Sequence, residues 1–152
     1  MSSFKPKNPD FEARCQDSFD RQKAMKTLGL TLGAVGPGHV EMHMPYHPDV
    51  TQQHGFIHAG ILSTALDSAC GYAAFSLMPA DAAVLTIEFK INLLSPAKGE
   101  RFVFRAEVTK PGRTISVADG KAFAVEEDGK EKLIATMTGT VMAVVGRDGI
   151  VG

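Results

Sequence analysis

The sequence predicts an α+β domain in which one long central helix is wrapped by an antiparallel β-sheet. Three observations predict it. Residues 57–77 carry alanine, leucine and isoleucine on nearly every side, with one charge, Asp67. A helix that is apolar all round must be covered by other structure. Beyond Asp81 the apolar residues recur with a period of two, the spacing of a half-buried strand. Turn residues separate those runs at short intervals, which reads as a series of hairpins. The 152 residues suit a single domain, 1–152.

Residues 1–8 read as a flexible tail. Asn8-Pro9-Asp10 reads as a helix start, with Asn8 as cap and Pro9 at the first helical position. The N-terminal helix is expected over 9–28, with Phe11, Cys15 and Phe19 at spacing four and Met25 and Leu28 beyond them; Gly29 ends it. A strand is expected over 30–35, then a turn at Gly36-Pro37-Gly38. Val40, Met42 and Met44 alternate with polar residues as a second strand requires. A loop over 45–53, rich in Pro, His and Gln, leads into the buried helix. Four strands follow: one marked by Leu85, Ile87, Phe89, Ile91 and Leu93, one by Phe102, Phe104, Ala106 and Val108, one over 114–125, and one over 132–145. Turns at 95–99, at Pro111-Gly112 and at Asp128-Gly129 join them.

Composition narrows the function. A formal net charge of -1 gives no sign of the basic face that nucleic acid calls for. The longest apolar stretch contains Asp67 and several small polar residues, so a membrane span is not expected. Cys15 and Cys70 are far apart and outside any CxxC spacing, which argues against a disulfide framework or a cysteine-based zinc site. The polar N-terminus does not read as a signal peptide, and the expected location is the cytoplasm.

The chemistry concentrates in His54-Gly55-Phe56-Ile57-His58-Ala59-Gly60-Ile61-Leu62-Ser63-Thr64-Ala65-Leu66-Asp67. A helix begins near His58-Ala59-Gly60. Its first N–H groups lack internal partners and lie at the positive end of the dipole. Small residues, Ala59 and Gly60, let a ligand oxygen approach them, which is how a polarised carbonyl is held. Asp67 lies two turns on, in an apolar helix where an unpaired carboxylate is costly. Burial raises its pKa and suits it to act as a general base. Gln52 and Gln53 precede the helix, placed to orient water or substrate. Ala59 and Asp67 are eight residues apart, roughly 12 Å along a helix axis, so both cannot touch one carbonyl carbon within a single chain. Two such helices packed antiparallel would set each amide against the other's aspartate, giving two equivalent sites in a homodimer.

The segment from His58 to Asp67 resembles the HGG-x-x-x-x-L-x-D segment of hot-dog thioesterases of the phenylacetate-pathway (PaaI-like) type. The likeness extends to Leu93-Leu94-Ser95-Pro96-Ala97-Lys98-Gly99-Glu100 and covers about 30–144. The resemblance implies a hot-dog fold, paired into dimers and often dimers of dimers, and an acyl-CoA substrate. It implies that Asp67 is the catalytic carboxylate, as base or nucleophile, and that the Ala59 amide polarises the thioester carbonyl with His58 beside it. Gln52 falls where relatives carry asparagine near the attacking water, and Thr86 where a serine or threonine positions that water. Ala59 stands where many relatives have glycine, a change that a backbone amide tolerates. No cofactor is implied, coenzyme A being part of the substrate.

Other readings stand beside this one. His54 and His58 have the spacing of two metal ligands on a helix, but no third ligand is evident and no metal is expected. Cys70 reads as a buried, inert thiol, and Ser63 and Ser68 lack a serine-hydrolase elbow. Lys110 and Arg113, in a basic turn with Pro111 and Gly112, either meet the phosphates of coenzyme A or form a solvated hairpin tip; the same holds for Lys98. Beside a thioesterase, a hot-dog dehydratase or hydratase and a non-catalytic acyl-CoA-binding protein remain open.

Overall fold

A computed structural model describes residues 3–152; the first two residues of the expected tail lie outside them. Residues 3–7 form no regular element, yet Phe4 packs against the core and Asn8 is buried. The helix start differs from expectation. Asp10 is the cap of α1 (Phe11–Arg21), and Asn8 instead accepts the Asp10 N–H at 3.1 Å in the preceding turn.

The expected single helix over 9–28 is two helices, α1 and α2 (Lys23–Leu28), separated by Gln22 in an extended conformation. The reason is phase. Met25 lies six residues after Phe19, about one and two-thirds turns, so an unbroken helix would swing it away from the face that buries Cys15 and Phe19. The break resets the phase, and Met25 is fully buried. Gly29, with φ 70°, ends α2 in the left-handed conformation that glycine accepts without strain.

Strands β1 (Thr31–Gly36) and β2 (His39–Pro45) form the first hairpin. The buried helix is α3 (Ala59–Phe75), somewhat shorter than the expected 57–77. Strands β3 (Ala82–Leu93), β4 (Arg101–Lys110), β5 (Ile115–Val125) and β6 (Glu131–Val145) follow. All pairings are antiparallel, in the order β1-β2-β4-β5-β6-β3. This is the hot-dog fold, with α3 lying across the sheet.

Small residues let α3 come close. Ala118, Gly120, Ala122 and Ala124 of β5 face the helix, and a Cβ on Gly120 would sit 3.1 Å from both Cys70 Sγ and Leu66 Cδ2. Larger side chains fill the flanks, with Phe75, Phe102, Phe104 and Met42 fully buried. Each contributes about 1.5–3 kcal/mol relative to exposure.

Two surfaces stay uncovered. One stripe of α3, through Gly60, Thr64 and Asp67, is exposed or half-buried while most of the helix beyond Leu66 is enclosed. The second lies on β3, an edge strand. Ile87, Phe89 and Leu93 are 53%, 44% and 54% exposed although their alternation marks them as core residues. Among the described residues β3 pairs only with β6, and its register shifts between Thr86 and Glu88. Among the described residues no helix is long and apolar enough to cross a membrane.

Candidate active site

The loop before α3 ends at His58, whose extended backbone (φ -61°, ψ 139°) leaves it just outside the helix. Its Nδ1 accepts the Gly60 N–H at 2.9 Å. That bond places the proton of the neutral ring on Nε2, which is left to donate outward. It also commits the Gly60 amide internally. The Ala59 N–H is different: among the described residues it has no intramolecular partner, as the first turn of a helix allows. Ala59 is therefore the donor that the helix start presents to a ligand.

Asp67 lies two turns along α3, half-buried on the open stripe. Thr86, on the edge strand, donates its hydroxyl to Asp67 Oδ1 at 2.7 Å. Burial pushes the Asp67 carboxyl above its ordinary range, and the Thr86 hydrogen bond acts in the opposite direction. With Oδ1 held by Thr86, Oδ2 is available to water.

Asp67 and Thr86 open into a cleft of ≈300 Å³ between α1, α3 and β3, with Gly71, Val84, Ser18 and Arg21 among its walls. Arg21 is itself engaged, with Asp17 at 3.2 Å and with the Gly152 carbonyl. The rest of the wall is Gln22, Ser68 and Tyr72. The sequence reading missed Ser18, Arg21, Gln22, Ser68 and Tyr72. The phase slip between Phe19 and Met25 was the one local signal of a break there.

The other candidates fall elsewhere in the chain. Gln52 sits in the loop before α3, its side chain accepting the His54 N–H, and is not part of the Asp67 cleft. Gln53 is exposed. His54 precedes the helix, so it does not share a helix face with His58. Among the described residues no three His, Cys, Asp or Glu side chains cluster as metal ligands would. Lys98 borders a groove of ≈890 Å³ with Tyr46, His54 and Phe56. Lys110 is exposed at the end of β4, and Arg113 borders a third groove with Lys5 and Lys7 beside Leu77 and Met78, past the C-terminal end of α3. Cys70 is buried, its thiol pushed up to about 12 by desolvation and nearby carboxylates, and stays protonated.

A helix laid on an antiparallel sheet, presenting a free amide at its tip and a raised carboxylate on its flank, defines the class: a hot-dog protein equipped for acyl chemistry. Comparison with known proteins gives the family. Residues 54–130 match the pattern of the Thioesterase superfamily. A Halobacterium salinarum protein bearing an esterase name is 31% identical over 115 residues, 72% of this chain and 76% of its own. Human acyl-coenzyme A thioesterase 13 is 31% identical over 93 residues, 60% of this chain and 66% of that one. The crystal structure of a thioesterase family protein from Silicibacter pomeroyi superposes with a TM-score of 0.88 at 61% identity, covering 90% of this chain and 99% of that one. The PaaI protein of E. coli, at 19% identity and a TM-score of 0.78 over 90% of this chain and 95% of its own, shares the fold. This chain belongs to the Thioesterase superfamily and is a thioester hydrolase.

Proposed function

We propose that the protein hydrolyses acyl-CoA thioesters at a site shared by two copies of the chain, Asp67 coming from one and the Ala59 amide from the other. The observation that carries the reading is the pairing of Asp67 with Thr86 in an open cleft, on the same helix as an unpartnered Ala59 N–H. Eight residues of helix separate the two, roughly 12 Å. A second, antiparallel α3 brings each amide to the other chain's carboxylate, and the uncovered apolar edge of β3 supports such a pairing.

In this site the thioester carbonyl oxygen accepts the partner's Ala59 N–H, with the His58 ring beside it. Asp67 takes a proton from water as the water oxygen attacks the carbonyl carbon. The C–O bond forms, and the π pair moves onto the oxygen held by the amide. Collapse restores the carbonyl and breaks the C–S bond. The proton held by Asp67 passes to the departing thiolate, giving carboxylic acid and coenzyme A and restoring the carboxylate. This route uses no cofactor. The reduced, buried thiols of Cys15 and Cys70 suit a cytoplasmic setting.

The test is thiol release from a panel of acyl-CoA substrates, read with a thiol reagent, for the parent and for Asp67→Ala. The parent should turn over at least one substrate. The variant should lose roughly 10²–10⁴-fold, the contribution of a general base, with its oligomeric state unchanged by light scattering. Undiminished thiol release by Asp67→Ala would overturn the assignment. Hydration of an enoyl-CoA without thiol release would assign the dehydratase class instead.

A further inference from the structure

One end of the cleft beside Asp67 is lined by a directed chain of hydrogen bonds. Tyr72 OH donates to Gln22 Oε1 at 3.2 Å, so its oxygen, 3.3 Å from Ser18 Oγ, accepts the Ser18 proton. Gln22 Nε2 donates to Ser68 Oγ at 3.4 Å. The chain therefore runs Ser18 to Tyr72 to Gln22 to Ser68, and it ends on a hydroxyl that keeps its own proton for a further acceptor. Ser68 is buried, next to Asp67 in sequence, and borders the cleft. The second hydrogen of Gln22 Nε2 is also available.

Four features give this end of the cleft a purpose. The polar atoms come from α1, from the break after it and from α3, so Ser18, Arg21 and Gln22, outside the region matched by the superfamily pattern, build a third of the wall. The break at Gln22 turns its amide inward, where a continuous helix would carry it past. Gly71 leaves room in the middle: a Cβ there would meet nothing within 4 Å. At ≈300 Å³ the cleft lies at the small end of ligand pockets, about 300–1,000 Å³.

We infer that this cleft is the acyl chamber and that it selects short acyl groups bearing a neutral hydrogen-bonding oxygen, a hydroxyl or a carbonyl, which accepts from Ser68 and Gln22. This rests on the thioesterase reading above. A plain alkyl chain of the same length would fill the chamber while leaving those donors desolvated and unpaired, a penalty that a hydroxylated chain escapes. A carboxylated chain is disfavoured, because the Asp67 carboxylate faces the same space and Arg21 is already paired with Asp17. A long alkyl chain would have to pass the polar end lined by Tyr72, Gln22 and Ser68.

The experiment compares kcat/KM for matched pairs with one carbon skeleton, hexanoyl-CoA against 3-hydroxyhexanoyl- and 6-hydroxyhexanoyl-CoA, with decanoyl-CoA as the long control. At least one hydroxylated member should exceed hexanoyl-CoA tenfold or more. In Gln22→Leu and in Tyr72→Phe that ratio should drop below threefold, chiefly through a higher KM for the hydroxylated substrate. Parity between the pairs in the parent, a preference for decanoyl-CoA, or a ratio retained in both variants would overturn the inference while leaving thioester hydrolysis standing. Thiol release from none of the substrates would remove the function and the inference together. The parent's ratios decide the matter even if a variant fails to fold.

Discussion

Ala59→Pro is the substitution that separates the backbone amide from everything around it. Proline has no N–H, and the first position of a helix is where its ring fits best. The residue before a proline must be extended, with ψ of about +120 to +160°, and His58 already has ψ 139°. Among the described residues the Ala59 N–H has no partner, so its removal forfeits no hydrogen bond with them. Stability should be nearly unchanged. The rate should fall about 10²–10³-fold, the loss of one donor to a developing oxyanion, about 2.7–4 kcal/mol. In the proposed shared site this variant has a second use. In a mixed dimer of Ala59→Pro with Asp67→Asn, one site carries both lesions and the other carries neither. Equal amounts with free exchange give half mixed dimers, each with one intact site of two, so activity should recover to about a quarter of the parent's. The assay is thiol release before and after mixing, with exchange confirmed by native mass spectrometry of differently tagged chains. Confirmed mixed dimers with no recovery above the sum of the two variants measured alone would refute the shared site. Full activity of Ala59→Pro alone would refute the role of the amide.

Three further predictions follow from the packing and the charges. In the proposed mechanism Asp67 acts only when ionised, so kcat/KM should rise with pH through an inflection above the ordinary Asp range of about 3.9; Thr86→Val, which removes the hydrogen bond that favours the carboxylate, should move that inflection further up, and an unmoved inflection would contradict the coupling. The same shift has a sign for stability: the native state holds this proton more tightly than the unfolded chain, so stability falls as pH rises from the ordinary Asp value through the raised one, and Asp67→Asn should melt higher than the parent at neutral pH but not in acid. Gly120→Val places new carbon where even a Cβ would lie 3.1 Å from Leu66 and Cys70; overpacking of this kind costs about 1–3 kcal/mol, at roughly 2–4 °C of Tm per kcal/mol, and an unchanged melting curve would mean that α3 is not seated on β5.

Parts of this structure were legible because they are local and periodic. The apolar girth of α3, the period of two in β4 to β6, and the glycines that end α2 and turn the hairpins each signal themselves within a few residues. The distance from Ala59 to Asp67 was legible for the same reason, since both lie on one helix of known rise. Long-range facts were not. Alternation on β3 separates its two faces but does not say whether either face is covered, because strand order is absent from the pattern; β3 lies at the edge beyond β6, and Phe89 is left 44% exposed. The bond from Thr86 to Asp67 spans 19 residues; the family resemblance singled out Thr86 as a residue that positions water, and nothing local pointed to its bond with Asp67. The break at Gln22 has neither glycine nor proline to mark it. It follows from a competition between helix continuity and the burial of Met25, which is settled by the sheet beneath.

The uncovered surfaces and the incomplete site lie on the same side of the molecule. Thr86, which orients Asp67, belongs to β3, the strand whose neighbouring Leu85, Ile87 and Phe89 remain exposed. The open stripe of α3 that carries Asp67 also carries Gly60 and Thr64, residues small enough for a second helix to approach. In the proposed pair, burying that edge and completing the site are one event, because the copy that covers the apolar residues also delivers the missing amide. A single chain of this fold holds Asp67 and its cleft but has its own Ala59 amide roughly 12 Å away along the helix. Dilution below the dimerisation constant should therefore remove activity and expose apolar surface together, and the two losses should follow one concentration dependence.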